Sequence, residues 1–370
     1  MHLPDGRMVW LRGREPGPSA TIRLANYRLG WSVLIGGDTG MAEAYIRGDW
    51  STPDLAQLLY LFCLNEQLLQ NVFAGSRILR LARMLGHRRR RNTKARAKRN
   101  IYAHYDLGNE FFSAWLDPSM TYSSAIFAPG MTALADAQKH KYERLASAID
   151  LRPGQKLLEI GCGWGGFAEF AATSYGAEVV ALTISREQHD FARKRIQAAG
   201  LSERVEIRLQ DYRDERARYD RIASIEMIEA VGEQYWPQYF AQLHDRLAPG
   251  GRAGIQAITI QDELFEGYRQ RVDFVQQYIF PGGMLPSAAM LRALGDRFGI
   301  PLARERIFGQ DYARTIAAWR HNFHHAWPRI RSLGFDERFR RLWEYYLCYC
   351  EAGFRSAHID VRHLVFARPG

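Results

Sequence analysis

Residues 156–172, KLLEIGCGWGGFAEFAA, constrain the fold more than any other part of the chain. The short run at 157–160 reads as a buried strand. Gly161, Gly163, Gly165 and Gly166 then make a tight turn, and 167–172 opens a helix. Glycine lets a backbone bend sharply and come close to a ligand, and the helix start behind the turn leaves N–H groups unpaired. Strand-like runs recur at 178–184, 204–210, 221–228 and 251–260, separated by helical stretches at about 186–199 and 236–247. This alternation predicts an α/β protein with a doubly wound parallel sheet.

A glycine-rich first turn serves either a dinucleotide or S-adenosylmethionine. The spacing Gly161-x-Gly163-x-Gly165 departs from the dinucleotide pattern, and Glu159 stands just before the turn. A carboxylate there suits a ligand bearing an amino group and a sulfonium better than one bearing a pyrophosphate. Asp211 and Tyr212, past the third strand, are placed to meet the edge and face of adenine. After the second strand Thr183 and Gln188 stand where an acid commonly meets ribose hydroxyls, so neutral hydrogen-bonding groups would do that work.

A hydrophobic content of 47% over 370 residues allows a large core and a smaller one. Residues 1–87 read as a small accessory domain, with strand-like ATIRLANYRL at 20–29, glycine turns in GGDTGMAEAYIRGDW at 36–50, and a helix from Asp54 to about Leu69. The net charge is +10, and residues 88–99, RRRRNTKARAKR, carry eight basic side chains and no acid. That run marks a basic linker to a catalytic domain at 100–370. Taken alone it fits a solvated linker, a nucleic acid or an anionic lipid surface. The best apolar run, 58–64, is too short to span a bilayer. The scattered Cys63, Cys162, Cys348 and Cys350 form no disulfide framework, which points to a reducing, cytoplasmic setting. Cys348 and Cys350 read as core residues, and no metal site is expected.

Seven blocks in order resemble the cyclopropane-fatty-acyl-phospholipid synthase family and its mycolic-acid relatives. They are HYDLGNEFFSAWLDPSMTYSSAIF (104–127), LLEIGCGWGGFAEF (157–170), LTISREQ (182–188), IEMIEAVG (225–232), YIFPGGMLPS (278–287), DYARTIAAWRHNF (311–323) and YYLCYCEAGFRSAHIDVRHLVF (345–366). The resemblance implies a Rossmann-like class I S-adenosylmethionine-dependent methyltransferase, with a small N-terminal accessory domain that helps form a homodimer. It also implies lipid chemistry. The double bond of an unsaturated phospholipid acyl chain attacks the S-adenosylmethionine methyl group, and a bound bicarbonate takes a proton from the resulting carbocation as a cyclopropane closes. The enzyme would work from the cytoplasm, peripheral to the inner face of the membrane, with residues 88–99 on the anionic surface.

By the same resemblance Glu229 holds the bicarbonate, Tyr312 offers its hydroxyl and ring, and the Ile258 backbone contacts the anion. Tyr122, Ser123, Trp164, Tyr278, Phe280 and Gly282 line the cofactor or acyl channel. Ser124 and Gln256 stand where the family has a cysteine and a histidine, both in the bicarbonate cradle. Glutamine does not change charge near neutral pH as histidine does. These departures motivate a second outcome, in which the cation loses its proton without ring closure and leaves a methylene- or methyl-branched chain. A nucleic-acid methyltransferase fits less well, because SIEMIEAVG lacks the Pro-Pro-aromatic motif that follows the fourth strand in base-nitrogen methyltransferases. A small-molecule C-methyltransferase would not need residues 1–99. A silent lipid-binding protein would not need Glu229, Tyr312 and the glycine turn together.

Overall fold

A computed structural model of the chain describes residues 1–13, 15–73, 76 and 107–370. Two short strands, β1 (Arg23–Leu24) and β2 (Trp50–Ser51), pair antiparallel near the N-terminus. Seven others make one sheet: β3 (Lys156–Ile160), β4 (Glu178–Thr183), β5 (Val205–Leu209), β6 (Tyr219–Ile225), β7 (Leu247–Ile260), β8 (Leu302–Ile307) and β9 (Ile359–Ala367). Their order is β5-β4-β3-β6-β7-β9-β8. The first five pair in parallel, and β9 runs antiparallel to both β7 and β8. The chain winds outward from β3 in one direction through β4 and β5, then in the other through β6 and β7. Loops leaving β3 and β6 therefore diverge, and the crevice between their carboxyl ends is where such sheets hold ligands.

Register carries the site across the sheet. Ile225 of β6 lies opposite Gln256 of β7, and Gln256 lies opposite His363 of β9. The residue after Ile225, Glu226, thus leaves the sheet beside Gln256. Helices Leu134–Ala148, Gly166–Tyr175 and Arg186–Ala198 share one buried cluster with β3, β4 and β5. Helices Trp236–Arg246 and Ala288–Arg297 share another with β6 and β7. Capping sets several starts: Ser185, Ser287 and Asp336 each accept a backbone N–H three residues on.

A third buried cluster joins the two ends of the chain. Helices Arg28–Arg47 and Leu55–Leu64 contribute to it with the C-terminal helices Gly309–Ser332 and Glu337–Arg355. The Tyr45 hydroxyl donates to Glu344 Oε2 at 2.9 Å, and Arg341 donates to the carbonyls of Tyr45 and Trp50 at 2.7 and 3.0 Å. The N-terminal elements therefore bury their apolar faces against the C-terminal helices.

Local structure differs from the sequence expectation here. Only Arg23–Leu24 of the segment 20–29 is strand, and helix begins at Arg28. The glycines at 36–40 interrupt one helix at Gly37 (φ 62°, ψ −139°), and residues 38–47 continue as helix because Met41, Ala42, Tyr45 and Ile46 gain burial there. The helix at Leu55–Leu64 starts on Asp54, which accepts from Gln57 N–H, and breaks at Asn65 before Glu66–Phe73. The boundary at 87/88 and the basic run lie outside the described residues. No helix among the described residues is long and apolar enough to cross a membrane. Cys348 is buried and Cys350 half-buried, and no His/Cys/Asp/Glu group among the described residues has metal-ligating geometry.

Candidate active site

A cavity of about 730 Å³ opens at the carboxyl ends of β3 and β6. Its lining includes the glycine turn, Glu159 and Tyr212, and also Asp38, Cys63 and Glu66 of the N-terminal helices. Val275, Phe280, Ile316, Trp319 and Phe354 supply apolar lining. Size and lining fit a ligand with a long apolar part and one polar head.

The glycine turn needs its glycines. Gly161 has φ +82°, and a Cβ there would lie 2.8 Å from Met227 Cγ. Gly163 also has positive φ and lines the cavity, whereas Gly165 lies outside the lining. Gly165 is instead the left-handed residue before helix Gly166–Tyr175, closely packed on Ala192. The Glu159 carboxylate accepts the Ala168 backbone N–H, yet its Oε2 is buried with no partner. Burial pushes this carboxyl up to about 8, and the nearby Lys141 charge only partly opposes that. An enclosed carboxylate with a vacant oxygen suits a cationic ligand group. Thr183 donates to Gln188 at 3.0 Å, and both line the cavity.

Asp211 does not stand free at the adenine edge. Arg213 grips both its carboxylate oxygens, at 2.8 and 2.6 Å, and its backbone N–H adds a third bond at 3.0 Å. The Trp164 indole donates to Asn109 at 2.7 Å, and the hydroxyls of Tyr122 and Tyr346 lie 2.8 Å apart. Together these residues fit S-adenosylmethionine: Glu159 for its cationic end, the turn at Gly161 and Gly163 for close backbone approach, and Tyr212 for a ring face.

Two carboxylates occupy the other side of the crevice. Glu226 was not singled out by the sequence, yet three donors converge on it. The Ser124 backbone N–H and the Gln256 amide donate to Oε1 at 2.8 and 2.7 Å, and the Tyr312 hydroxyl donates to Oε2 at 2.6 Å. Glu226 sits at φ +50°, a conformation that a non-glycine residue adopts at a cost and that clusters at functional sites. Glu229 has fewer partners. Its Oε1 accepts the Ile258 backbone N–H at 2.5 Å, and its Oε2 is buried and unpaired. Burial, with the Glu226 charge beside it, pushes Glu229 up to about 8. Burial raises Glu226 too, but Tyr312, Lys141, Ser124 and Gln256 all pull it back. Glu229 lacks those opposing donors, so of the two carboxyls Glu226 has the better-supported negative charge.

Two further groups escaped the sequence reading. Lys141 is fully buried, donates to Ser123 Oγ at 2.6 Å, and faces Glu226, Asp117 and Glu159. Its burial lowers it to about 8. His363 Nε2 lies 2.9 Å from Gln256 Oε1 and fixes that amide with its NH₂ toward Glu226. Gln256 is fully buried behind Glu226, outside the cavity wall. Ser124 departs from expectation in its atoms: its hydroxyl donates to the Ala125 carbonyl at 2.9 Å, and only its N–H reaches the cradle. Tyr278 also lies outside the lining, with its hydroxyl on Glu43 at 2.6 Å. Tyr122, Ser123, Trp164, Phe280 and Tyr312 do line the cavity, and Gly282 does not.

Known proteins match this arrangement. The family described as mycolic acid cyclopropane synthetase covers residues 92–364. The tuberculostearic acid methyltransferase UfaA1 of Mycobacterium tuberculosis is 40% identical, over 100% of this chain and 89% of its own. The cyclopropane-fatty-acyl-phospholipid synthase of Escherichia coli K12 is 35% identical, over 97% of this chain and 90% of its own. Among solved structures, the mycolic acid cyclopropane synthase CmaA1 complexed with SAH and CTAB superposes with a TM-score of 0.69 at 29% identity, covering 73% of this chain and 98% of that one. The fold, the matched length and the glycine-turn lining of the cavity agree: this chain belongs to the mycolic acid cyclopropane synthetase family and is an S-adenosylmethionine-dependent lipid methyltransferase.

Proposed function

We propose that the protein adds a one-carbon unit to the double bond of an unsaturated fatty acyl chain of a phospholipid, and that the product is an open methylene-branched chain. The observation that carries this reading is the single cavity that joins the glycine turn to an apolar wall and a carboxylate pair. S-adenosylmethionine supplies an electrophilic methyl group. The acyl alkene is a weak nucleophile, so the protein's task is to hold it near that methyl and keep water away from the cation that results. Val275, Ile316 and Phe354 exclude water, while the rings of Tyr312 and Trp319, 5.9 Å apart, offer aromatic faces to a carbocation. A carboxylate at Glu226 stabilises the same charge.

The open product is favoured by the 40% identity, over the whole chain, to a protein named for methyl transfer to a fatty acid. Ring closure is the second reading, favoured by the likeness to the E. coli synthase. The acyl chain would be drawn from a membrane surface, with the basic residues 88–99 holding the enzyme there. About 1 kcal/mol per basic residue at an anionic surface makes such binding reversible and salt-dependent.

The test is to incubate the protein with unlabelled S-adenosylmethionine and vesicles of mixed anionic and monounsaturated phospholipid. Acyl products are then read by mass spectrometry and proton NMR. Vinylidene protons at a branched carbon support the proposal, ring protons support the second reading, and no one-carbon gain on any acyl chain overturns both. Replacing Arg88, Arg89, Arg90 and Arg91 with glutamine should weaken binding to the anionic vesicles on the order of a hundredfold or more. Unchanged binding would remove the membrane role from that run.

A further inference from the structure

The donors that a free anion would need are already taken. Ser124 N–H, the Gln256 amide and the Tyr312 hydroxyl all point at one spot, the pattern of a site for a small planar anion. A carboxylate of this chain, that of Glu226, fills it. A bicarbonate ion would have to displace that carboxylate, or sit beside its charge in an enclosed space with Glu229 adjacent. The Ile258 N–H, which the resemblance assigned to the anion, is bonded to Glu229. The residues present therefore do not fit a bound bicarbonate.

Glu226 is also placed as a reacting group. It lines the cavity at the end of β6, next to the crevice that the glycine turn shares. A carboxylate has about four lone-pair positions, and three are engaged here, which leaves one for a proton. Its backbone is held at φ +50° although glutamate has no preference for that region. Lys141 and the three donors favour its charged form against the opposing effect of burial, and the His363–Gln256 contact holds one of those donors in orientation.

We propose that Glu226 replaces bicarbonate as the base of the reaction. This rests on the acyl-methylation reading above. After methyl transfer the acyl chain carries a cationic carbon. For the open product, a hydride first shifts from the methyl-bearing carbon to the adjacent cationic carbon. A C–H bond of the transferred methyl then breaks, and its electron pair forms the new C=C bond. For the ring product there is no shift, and that electron pair forms the closing C–C bond. In both cases the proton goes to Glu226 and leaves to water after product release.

The experiment uses the full chain with deuteriomethyl S-adenosylmethionine and monounsaturated phospholipid vesicles, in bicarbonate-free buffer and with bicarbonate added back. Wild-type turnover is expected to be unchanged by bicarbonate. Glu226→Gly suits the local backbone, since glycine takes positive φ freely, and it empties the cradle. Its turnover should fall on the order of a hundredfold or more, and bicarbonate or formate should restore part of it saturably. Glu226→Gln keeps the shape and should be neither active nor rescued. S-adenosylmethionine affinity, unchanged in both variants, reports that the fold is kept.

A second readout needs no turnover. Carbon-13 bicarbonate should show line broadening with Glu226→Gly and none with the wild type. Bicarbonate-dependent wild-type turnover, specific bicarbonate binding to the wild type, or full activity of Glu226→Gln would each overturn the proposal. A wild type that transfers no methyl to any acyl chain fails the functional reading instead, and the bicarbonate binding comparison still decides the cradle.

Discussion

Removing the Tyr312 hydroxyl should change how acid conditions affect the enzyme. In Tyr312→Phe the ring stays, so its packing on Phe354 at 4.4 Å and Trp319 at 5.9 Å is kept. What is lost is one O–H donor, 2.6 Å from Glu226 Oε2 in an enclosed site. A hydrogen bond to a charged group contributes about 1.5–3 kcal/mol. That bond favours the ionised carboxylate and lowers its affinity for a proton. Without it, Glu226 protonates at higher pH. The acidic limb of the kcat/KM profile, which reports the free enzyme's base, must then move to higher pH. At a pH on that limb, activity should fall about ten- to a hundredfold relative to wild type, since 1.36 kcal/mol is a factor of ten. On the plateau above the limb the two enzymes should differ far less. The assay is methyl transfer to vesicles between pH 5.5 and 9 at several substrate levels. A uniform loss at every pH, with the limb unmoved, would refute the reasoning and leave Tyr312 a role that does not pass through Glu226.

Three other consequences are open to measurement. Gly161→Ala puts an L-residue at φ +82° and a Cβ 2.8 Å from Met227 Cγ. At about 1–2 kcal/mol for the backbone alone, S-adenosylmethionine affinity by calorimetry should drop about tenfold or more, and unchanged affinity would mean the turn does not touch the cofactor. His363→Ala frees the Gln256 amide to rotate; kcat should fall while S-adenosylmethionine affinity holds, and Gln256→Leu in the same background should add little. Glu159, pushed up to about 8 by burial, should make S-adenosylmethionine binding weaken as pH falls below about 8 and release protons on binding. The sign for folding is opposite to that of a salt-bridged acid: the folded state holds this proton longer than the unfolded chain. The site therefore costs stability as pH rises from the ordinary carboxylate range toward 8. Thermal melts at pH 6 and 8, with and without the cofactor, should show the ligand closing that gap, and Glu159→Gln should abolish the difference at this site.

The cofactor half was legible because its chemistry is local. Glu159, Gly161 and Gly163 lie within five residues, and strand, turn and helix follow from glycine and apolar spacing alone. Thr183 and Gln188 are likewise joined within one turn. The reactive half was less legible because its partners come from distant segments. The eight residues at 225–232 contain both Glu226 and Glu229, and resemblance picked out only the second. Glu226 gains its role from the β6–β7 register that places Gln256 beside it, and from Tyr312, 86 residues further on. His363 enters only because β9 folds back against β7. For Ser124 the residue was found and the wrong atom expected, since rotamer choice sent the hydroxyl to Ala125. At the N-terminus, the β-type spacing at 20–29 leaves only Arg23–Leu24 as strand, paired with Trp50–Ser51, because helix starts at Arg28.

The most direct test of the central claim is the deuteriomethyl product analysis of the wild type in bicarbonate-free buffer. The account predicts one added carbon on the acyl chain, carrying two of the three methyl deuterons, at a rate that added bicarbonate does not change. A product that keeps all three deuterons, or turnover that starts only when bicarbonate is supplied, would contradict it.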